Sequence, residues 1–416
     1  MAEKFKVPRG TFDVLPDRQD LRRRILEVSA ERLEAAGYGR IDTPVFEDTA
    51  LFARTSGEGS DVVTKEMYTF EDRSGRSLTL RPELTAPICR AYLEHGLHRE
   101  PQPQKLYSIA TSYRYGRPQK GRYREFWQLS VEAIGSDDPA IDAEVIDLYD
   151  MLLGNLGVTE YRLELNSIGD ANCRPAYVEA LRAWLARHEG DLDEETRDQA
   201  RRNPLRALDN FAAKPPHVRD VLAHAPAIGD ALCDECREHF AAVRRSLDAY
   251  DVGYELVPTL VRGLDYYTRT TFEFVGPEHG AQSTICGGGR YDGLMEEIGG
   301  PATPALGFGA GVERLLIAVE HAGVEPPRRE PVDVFIATEE GAPRELVVRW
   351  LKQLRAHDIT ADTDYAGRSL KGQLTQAGRL GARTTVIVGA DRATLRRAGE
   401  QDEPLDHDEV PGRLLR

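Results

Sequence analysis

The sequence predicts an α+β fold: a largely antiparallel sheet carrying helices, with a helical insertion, followed by a small α/β domain. Three observations predict it. Strand patterns at residues 76–80, 105–113, 125–134 and 161–165 fall as near neighbours, without regular strand–helix alternation. From Ala171 to about Tyr250 the pattern changes to short helical stretches broken by Pro175, Pro204, Pro215, Pro216 and Pro226. Beyond a charged, proline-broken stretch at 324–331, strands and helices alternate. A chain of 416 residues is too long for one ordinary core. The expected division is 1–325 with the insertion at about 171–252, a linker at 326–330, and a second domain at 331–416.

In order along the chain, a helix is expected over 21–36. Leu21, Ile25 and Val28 form one apolar row, and Leu26, Ala30 and Leu33 an adjacent one. Gly37 stops it, and 40–46, with Pro44, reads as a strand. After the insertion, sheet character returns at 254–261 and 270–275, followed by a glycine-rich turn from Cys286 to Gly293. Residues 304–316 read as a glycine-rich strand running into a helix. In the last domain, strands at 332–337, 360–363 and 385–388 alternate with helices near 343–356 and 369–380, which implies parallel strands. The acidic stretch 400–409 reads as a solvated loop.

Composition narrows the class. With 41% hydrophobic and 30% charged residues, no low-complexity tract and no apolar run near the ~18 residues a membrane span needs, a soluble cytoplasmic protein is expected, with no membrane association. The first residues lack the apolar core of a signal peptide. Five scattered cysteines do not make a disulfide framework. Net charge is −15, which counts against nucleic acid, but residues 331–416 hold 14 acids and 13 Lys or Arg and are nearly neutral. Only 8 of the 54 basic residues are lysines, a bias that either a GC-rich genome or salt adaptation would produce.

Within this acidic chain, residues 114–124 gather Arg114, Arg117, Lys120, Arg122 and Arg124 with no acid among them. Mutual repulsion among five cations favours a polyanionic target, and Tyr115 and Tyr123 offer flat faces for bases. Pro118 and two glycines make the stretch a loop. A second stretch, 262–268, places Arg262, Asp265, Tyr266 and Tyr267 together, suited to presenting a cation to an anion and a phenol to a polar ligand. Glu83 and Thr85 put a carboxylate and a hydroxyl two residues apart, suited to an ammonium group. Glu83 after Pro82 equally suits a helix N-terminus. The glycines at 307–311 permit close approach of a ligand, with Arg314 following, but the spacing fits neither a phosphate-binding loop nor a dinucleotide fingerprint. Cys233 and Cys236, with His239 near, have the spacing of half a zinc site. Four ligands are required and Cys173 is the only other cysteine of the insertion, so helix packing is the reading and no metal is expected.

These residues resemble a known family. Helix 21–36 with strand 40–46 is similar to motif 1 of class II aminoacyl-tRNA synthetases, 107–132 to motif 2 and 304–316 to motif 3. Residues 262–268 and 287–293 resemble the two signatures particular to the histidyl-tRNA synthetases, and the similarity runs over essentially the whole chain. The resemblance implies a class II catalytic domain with an anticodon-binding-like α/β domain, acting as a histidine–tRNA ligase on L-histidine, ATP with Mg2+, and tRNA(His). It implies that Arg114 holds the α-phosphate and Arg262 stabilises it from the opposite side. Arg314 is placed at the adenine or γ-phosphate, and Phe126 on the adenine. By the same resemblance Glu83, Thr85 and Gln128 take the histidine ammonium, Glu132 and Tyr267 the two ring nitrogens with Tyr266 nearby, and Arg117 and Gln119 touch the tRNA acceptor end. A homodimer built on motif 1 is implied too, and the apolar rows of helix 21–36 suit an isologous contact. Where many motif 2 sequences carry a glutamate, this chain has Gly116; Glu125 on the far limb is the compensating candidate. Two rivals remain at this stage: the regulatory subunit of ATP phosphoribosyltransferase, which typically lacks the last domain and degrades the substrate residues, and a tRNA-binding sensor without adenylation.

Overall fold

The computed structural model describes residues 4–56, 62–208, 211, 214–261, 266–277, 283–325 and 331–415. The chain forms two compact units, Met1–Pro326 and Pro327–Arg416. The expected linker at 326–330 lies outside the described residues.

The strands of the first unit are β1 Gly39–Arg40, β2 Phe46–Asp48, β3 Tyr68–Glu71, β4 Ser77–Leu80, β5 Gln104–Tyr113, β6 Glu125–Ile134, β7 Arg162–Ser167, β8 Glu255–Leu256, β9 Thr268–Val275, β10 Thr284–Arg290 and β11 Ala305–Gly311. Its helices are α1 Pro16–Ala35, α2 Thr49–Ser56, α3 Thr85–Glu94, α4 Pro139–Asn155, α5 Arg174–Arg187, α6 Glu194–Arg202, α7 Pro216–Leu222, α8 Asp234–Ala249, α9 Leu294–Glu297 and α10 Val312–His321. Eight strands make one sheet in the order β1-β5-β6-β11-β10-β9-β7-β8. Its six central strands are antiparallel, and the short edge strands β1 and β8 pair in parallel. The order explains the site: β6, far away in sequence, lies beside the pair β11 and β10 in the middle. Helices α1, α4 and α10 share one buried cluster with this sheet, in which Tyr149 packs edge-on against Phe274 and Phe308.

Several expectations need correction. Helix α1 starts at Pro16, five residues early, because proline is preorganised for a first helical turn. Its buried row is Leu21, Ile25, Ser29 and Leu33, so the apolar residues expected to face a partner pack largely into its own core. The strand expected over 40–46 is split into β1 and β2, since Pro44 cannot donate to a ladder. The buried Arg81 guanidinium instead takes the carbonyls of Thr43 (2.6 Å) and Pro44 (3.1 Å). Residues 254–261 give only the two-residue β8, with Pro258 just beyond it. The glycine-rich segment 286–290 is no turn but most of the central strand β10. A Cβ on Gly288 would stand 2.4 Å from the Gly307 carbonyl oxygen of β11 and 2.6 Å from the Phe272 ring, so only glycine lets these strands close.

The insertion region is helical, with α5 to α7 packed around Tyr177, Leu181, Leu208, Val218 and Leu222. Helix α8 closes it, and its Val243 and Leu247 return to the main core. The second unit adds β12 Val334–Thr338, β13 Ala361–Thr363, β14 Thr384–Val388, β15 Arg392–Arg397 and β16 Glu403–Asp406, with helices α11 Arg344–Arg355, α12 Leu370–Arg379 and α13 Val410–Leu414. The three expected strands are parallel, in the order β13-β12-β14. The stretch 400–409 is no loop: it supplies β16, antiparallel to β15, because Leu405 is buried while Arg392–Asp406 and Arg396–Asp402 pair on the surface. No helix among the described residues is long and apolar enough to cross a membrane.

Candidate active site

One pocket opens on β6, β11 and β10 and collects Glu83, Thr85, Arg114, Phe126, Gln128, Tyr266, Tyr267 and Arg314. Glycines make the room. A Cβ on Gly309 would lie 2.4 Å from Gln128 Nε2, one on Gly307 2.0 Å from Glu132 Oε2, and one on Gly289 2.8 Å from the Tyr267 ring. Three strand glycines therefore leave space for three side chains expected to handle the substrate.

The α3 N-terminus forms part of the lining. The buried Glu83 carboxylate accepts from the backbone N–H of Thr85 (2.5 Å) and Ala86 (3.0 Å), so it caps the helix while facing the pocket. Burial raises its pKa, opposed by those N–H groups and the nearby Arg114 cation. Glu132 is fully buried directly beneath, behind the pocket lining. Its Oε1 accepts from Thr85 Oγ1 and Ser130 Oγ, both at 2.7 Å, and its Oε2 from the Tyr291 hydroxyl. Burial outweighs these donors and pushes its pKa up to about 8. Tyr266 and Tyr267 stand 4.8 Å apart, centroid to centroid, with Tyr266 also against Tyr291.

Cations line the same pocket. Arg114 donates through Nε to the Pro82 carbonyl (2.8 Å), and its guanidinium lies 5.6 Å from the Phe126 ring centre. Burial lowers its pKa, but arginine keeps its charge. Arg314, two residues into α10, donates to the carbonyls of Gly121 (3.1 Å) and Thr284 (2.7 Å), tying the 114–124 loop to β10. Glu313 beside it is buried and accepts from the Trp127 backbone N–H, while Arg22 of α1 lies over the Trp127 ring at 4.5 Å. The three segments likened to motifs 1, 2 and 3 thus meet at one knot. Arg262 lies outside the described residues.

The 114–124 cluster is less bare than its sequence implies. Its limbs close as a hairpin through Gln119 and Arg122. Arg122 pairs with Glu66 at 2.7 Å, and Arg124 covers the Tyr115 face at 3.7 Å. Tyr123 packs on Phe12, so neither tyrosine presents an open face on both sides. Arg117 and Lys120 remain exposed near the turn, beside Gln119. Glu66 also stands beside the position of the missing loop glutamate: its Oε1 would lie 3.2 Å from a Cβ at Gly116, whereas Glu125 is exposed at the start of β6. Sequence reading missed Glu66, Ser130, Tyr291 and Glu313. Ser130, two residues from both Gln128 and Glu132, was marked by the period-2 register of β6, and Glu313 by its place beside Arg314; Tyr291 lay inside a segment already singled out, and Glu66 carried no signal.

A family model described as histidyl-tRNA synthetase matches residues 10–315. The chain belongs to the histidyl-tRNA synthetase family. It is 48% identical to the histidine–tRNA ligase of Corynebacterium kroppenstedtii, over 99% of this chain and 98% of the relative. It is 44% identical to that of Dehalococcoides mccartyi, over 97% of each. Among solved structures, apo histidyl-tRNA synthetase of Staphylococcus aureus superposes with a TM-score of 0.81 at 36% identity, covering 99% of this chain and all of the other. A Bacillus halodurans structure titled ATP phosphoribosyltransferase regulatory subunit/histidyl-tRNA synthetase reaches 0.66 at 23% identity and shares the fold. The family and fold expected from the motifs are those found.

Proposed function

We propose that this chain is a histidine–tRNA ligase, activating L-histidine with ATP and passing the histidyl group to the 3′ end of tRNA(His). The observation that carries the reading is one pocket that brings the carboxylate, hydroxyl and amide of Glu83, Thr85 and Gln128 together with the cations Arg114 and Arg314. An amino acid held there sets its ammonium on Glu83, Thr85 and Gln128 and its carboxylate toward the arginines. A histidine carboxylate oxygen then attacks the α-phosphorus of Mg-ATP; the new P–O bond forms as the bond to pyrophosphate breaks, giving histidyl-adenylate. Arg114, and Arg262 from the segment leading to Tyr266, meet the charge developing on the phosphoryl oxygens. Phe126 and Arg314 hold the adenine and outer phosphates.

The imidazole lies toward Tyr267 and the buried Glu132, with Tyr266 alongside. An apolar isostere would leave these groups unpaired at about 1–3 kcal/mol each, a steep discrimination. In the second step the terminal ribose hydroxyl attacks the adenylate carbonyl and AMP leaves. Arg117 and Gln119, at the hairpin of the 114–124 loop, contact the acceptor end, and the second unit takes the anticodon arm. The exposed Val45, Phe46 and Phe70, rather than the buried row of α1, are the apolar surface offered to a second copy in a cytoplasmic homodimer. Charging assays with a panel of labelled amino acids test the assignment: histidine alone should become acid-precipitable on tRNA(His), and charging of another amino acid in its place would refute it.

A further inference from the structure

Away from the pocket, where the insertion leaves and rejoins the sheet, Asp170, Cys173, Cys233 and Cys236 bring one carboxylate oxygen and three sulfurs within 4.8 Å of one another. The sequence spacing is Asp-x2-Cys and Cys-x2-Cys; the second pair was legible as half a site, and the missing fourth ligand is an aspartate rather than a cysteine. We propose that these four residues bind a structural Zn2+ tetrahedrally, through three thiolates and one carboxylate oxygen.

The distances suit it. Zinc with Zn–S near 2.3 Å and Zn–O near 2.1 Å needs tetrahedral edges of about 3.8 Å between sulfurs and about 3.6 Å between sulfur and oxygen. Cys173 Sγ lies 3.9 Å from Cys236 Sγ, Asp170 Oδ1 lies 3.6 Å from Cys173 Sγ, and Cys233 Sγ lies 4.0 Å from Asp170 Oδ1. The backbone is shaped around the sulfurs. Gly169 has φ +64°, and a Cβ there would stand 2.6 Å from Cys173 Sγ, while the Asp170 N–H points at the same sulfur from 3.4 Å. Cys173 and Cys233 each stand at a helix start, before α5 and α8, so both ligand pairs are anchored by the first turn of a helix.

The second carboxylate oxygen is engaged as an outer shell would be: Asp170 Oδ2 lies 3.6 Å from Arg269 Nη2. That cation offsets part of the net negative charge of a zinc with four anionic ligands. His239, one turn beyond Cys236, stays out of the cluster, its Nε2 lying 3.7 Å from Asp142. Three soft sulfurs select zinc over hard cations. Loading requires each thiol to lose its proton to solvent as its metal–sulfur bond forms.

The position gives the site a purpose. It ties the start of α5 to the start of α8, closing the insertion at its neck. It also fixes the turn from which Arg174 reaches the carbonyls of Gly169 (3.0 Å) and Tyr267 (2.5 Å), backing the wall of the active-site pocket.

The test uses the full chain purified under reducing conditions without chelator. Mass spectrometry of bound metals should find one zinc per chain, lost in Cys236→Ser. After zinc removal, cobalt should restore the strong absorption of a tetrahedral ion with sulfur charge transfer. In Asp170→Cys that charge-transfer band should grow by about one third, as three sulfurs become four, a reading that survives even if Cys236→Ser does not fold. Absence of stoichiometric zinc, a Cys173–Cys236 disulfide in the protein as purified, a weak octahedral cobalt spectrum, or zinc retained by a folded Cys236→Ser would each overturn the proposal.

Discussion

Glu132 is held nearly neutral inside the sheet while three hydroxyls donate to it, and its folded pKa of about 8 exceeds that of a free glutamate. The native state therefore binds an extra proton between about pH 4.3 and 8, so this group's contribution is complete below that window and lost as pH rises through it. Without substrates, the thermal midpoint should fall from pH 6 to pH 8.5 more steeply in the wild type than in Glu132→Gln, as scanning calorimetry would report. Histidine binding runs the other way, because an imidazole N–H needs the ionised acceptor: KM for histidine should drop as pH approaches about 8 and lose that dependence in the variant. Equal pH profiles for the two proteins would remove Glu132 from ring recognition.

At the scale of elements, the glycines of β11 separate folding from function. An alanine at Gly307 meets the Val131 carbonyl oxygen at 2.3 Å, which is backbone and cannot step aside; an alanine at Gly309 meets only the end of the Gln128 side chain. Gly307→Ala should lower the denaturant midpoint by the equivalent of about 1–3 kcal/mol or more. Gly309→Ala should keep most of its stability while losing histidine affinity. The buried pair of Arg290 on β10 with Asp142 on α4 is a further support, completed by Asp292 at 3.1 Å and the Ser136 carbonyl at 2.9 Å. Replacing Asp142 by Ala leaves a buried guanidinium short of its partner and should cost about 3–5 kcal/mol in urea unfolding. These elements also mark what was legible beforehand. Strands 105–113 and 125–134 could be read from alternation, and the 304–316 strand-to-helix segment from its glycines. The strand 284–290 was not legible, because three glycines signal a turn locally while the sheet, packing against Gly307 and Phe272, needs them for close approach. Glu66 and Asp170 escaped for a related reason: each matters only through neighbours that are remote in sequence, Arg122 and Gly116 for one, Cys233 and Cys236 for the other.

For the whole molecule, the first unit holds two buried clusters of its own and every described residue of the pocket. A chain ending at Pro326 should therefore still activate histidine but charge tRNA(His) poorly, with the deficit in KM for tRNA; loss of activation in that fragment, once shown folded by circular dichroism, would tie the second unit to the first step. The central claim is that the pocket lined by Glu83 and Arg114 makes histidyl-adenylate. Histidine-dependent exchange of labelled pyrophosphate into ATP tests it most directly, wild type beside Arg114→Ala. The account predicts exchange with histidine alone among the amino acids, reduced by about 10²–10³ in the variant, the scale of removing one donor to a developing oxyanion. A folded wild type that exchanges no label, or a variant that exchanges as well as the wild type, would contradict it.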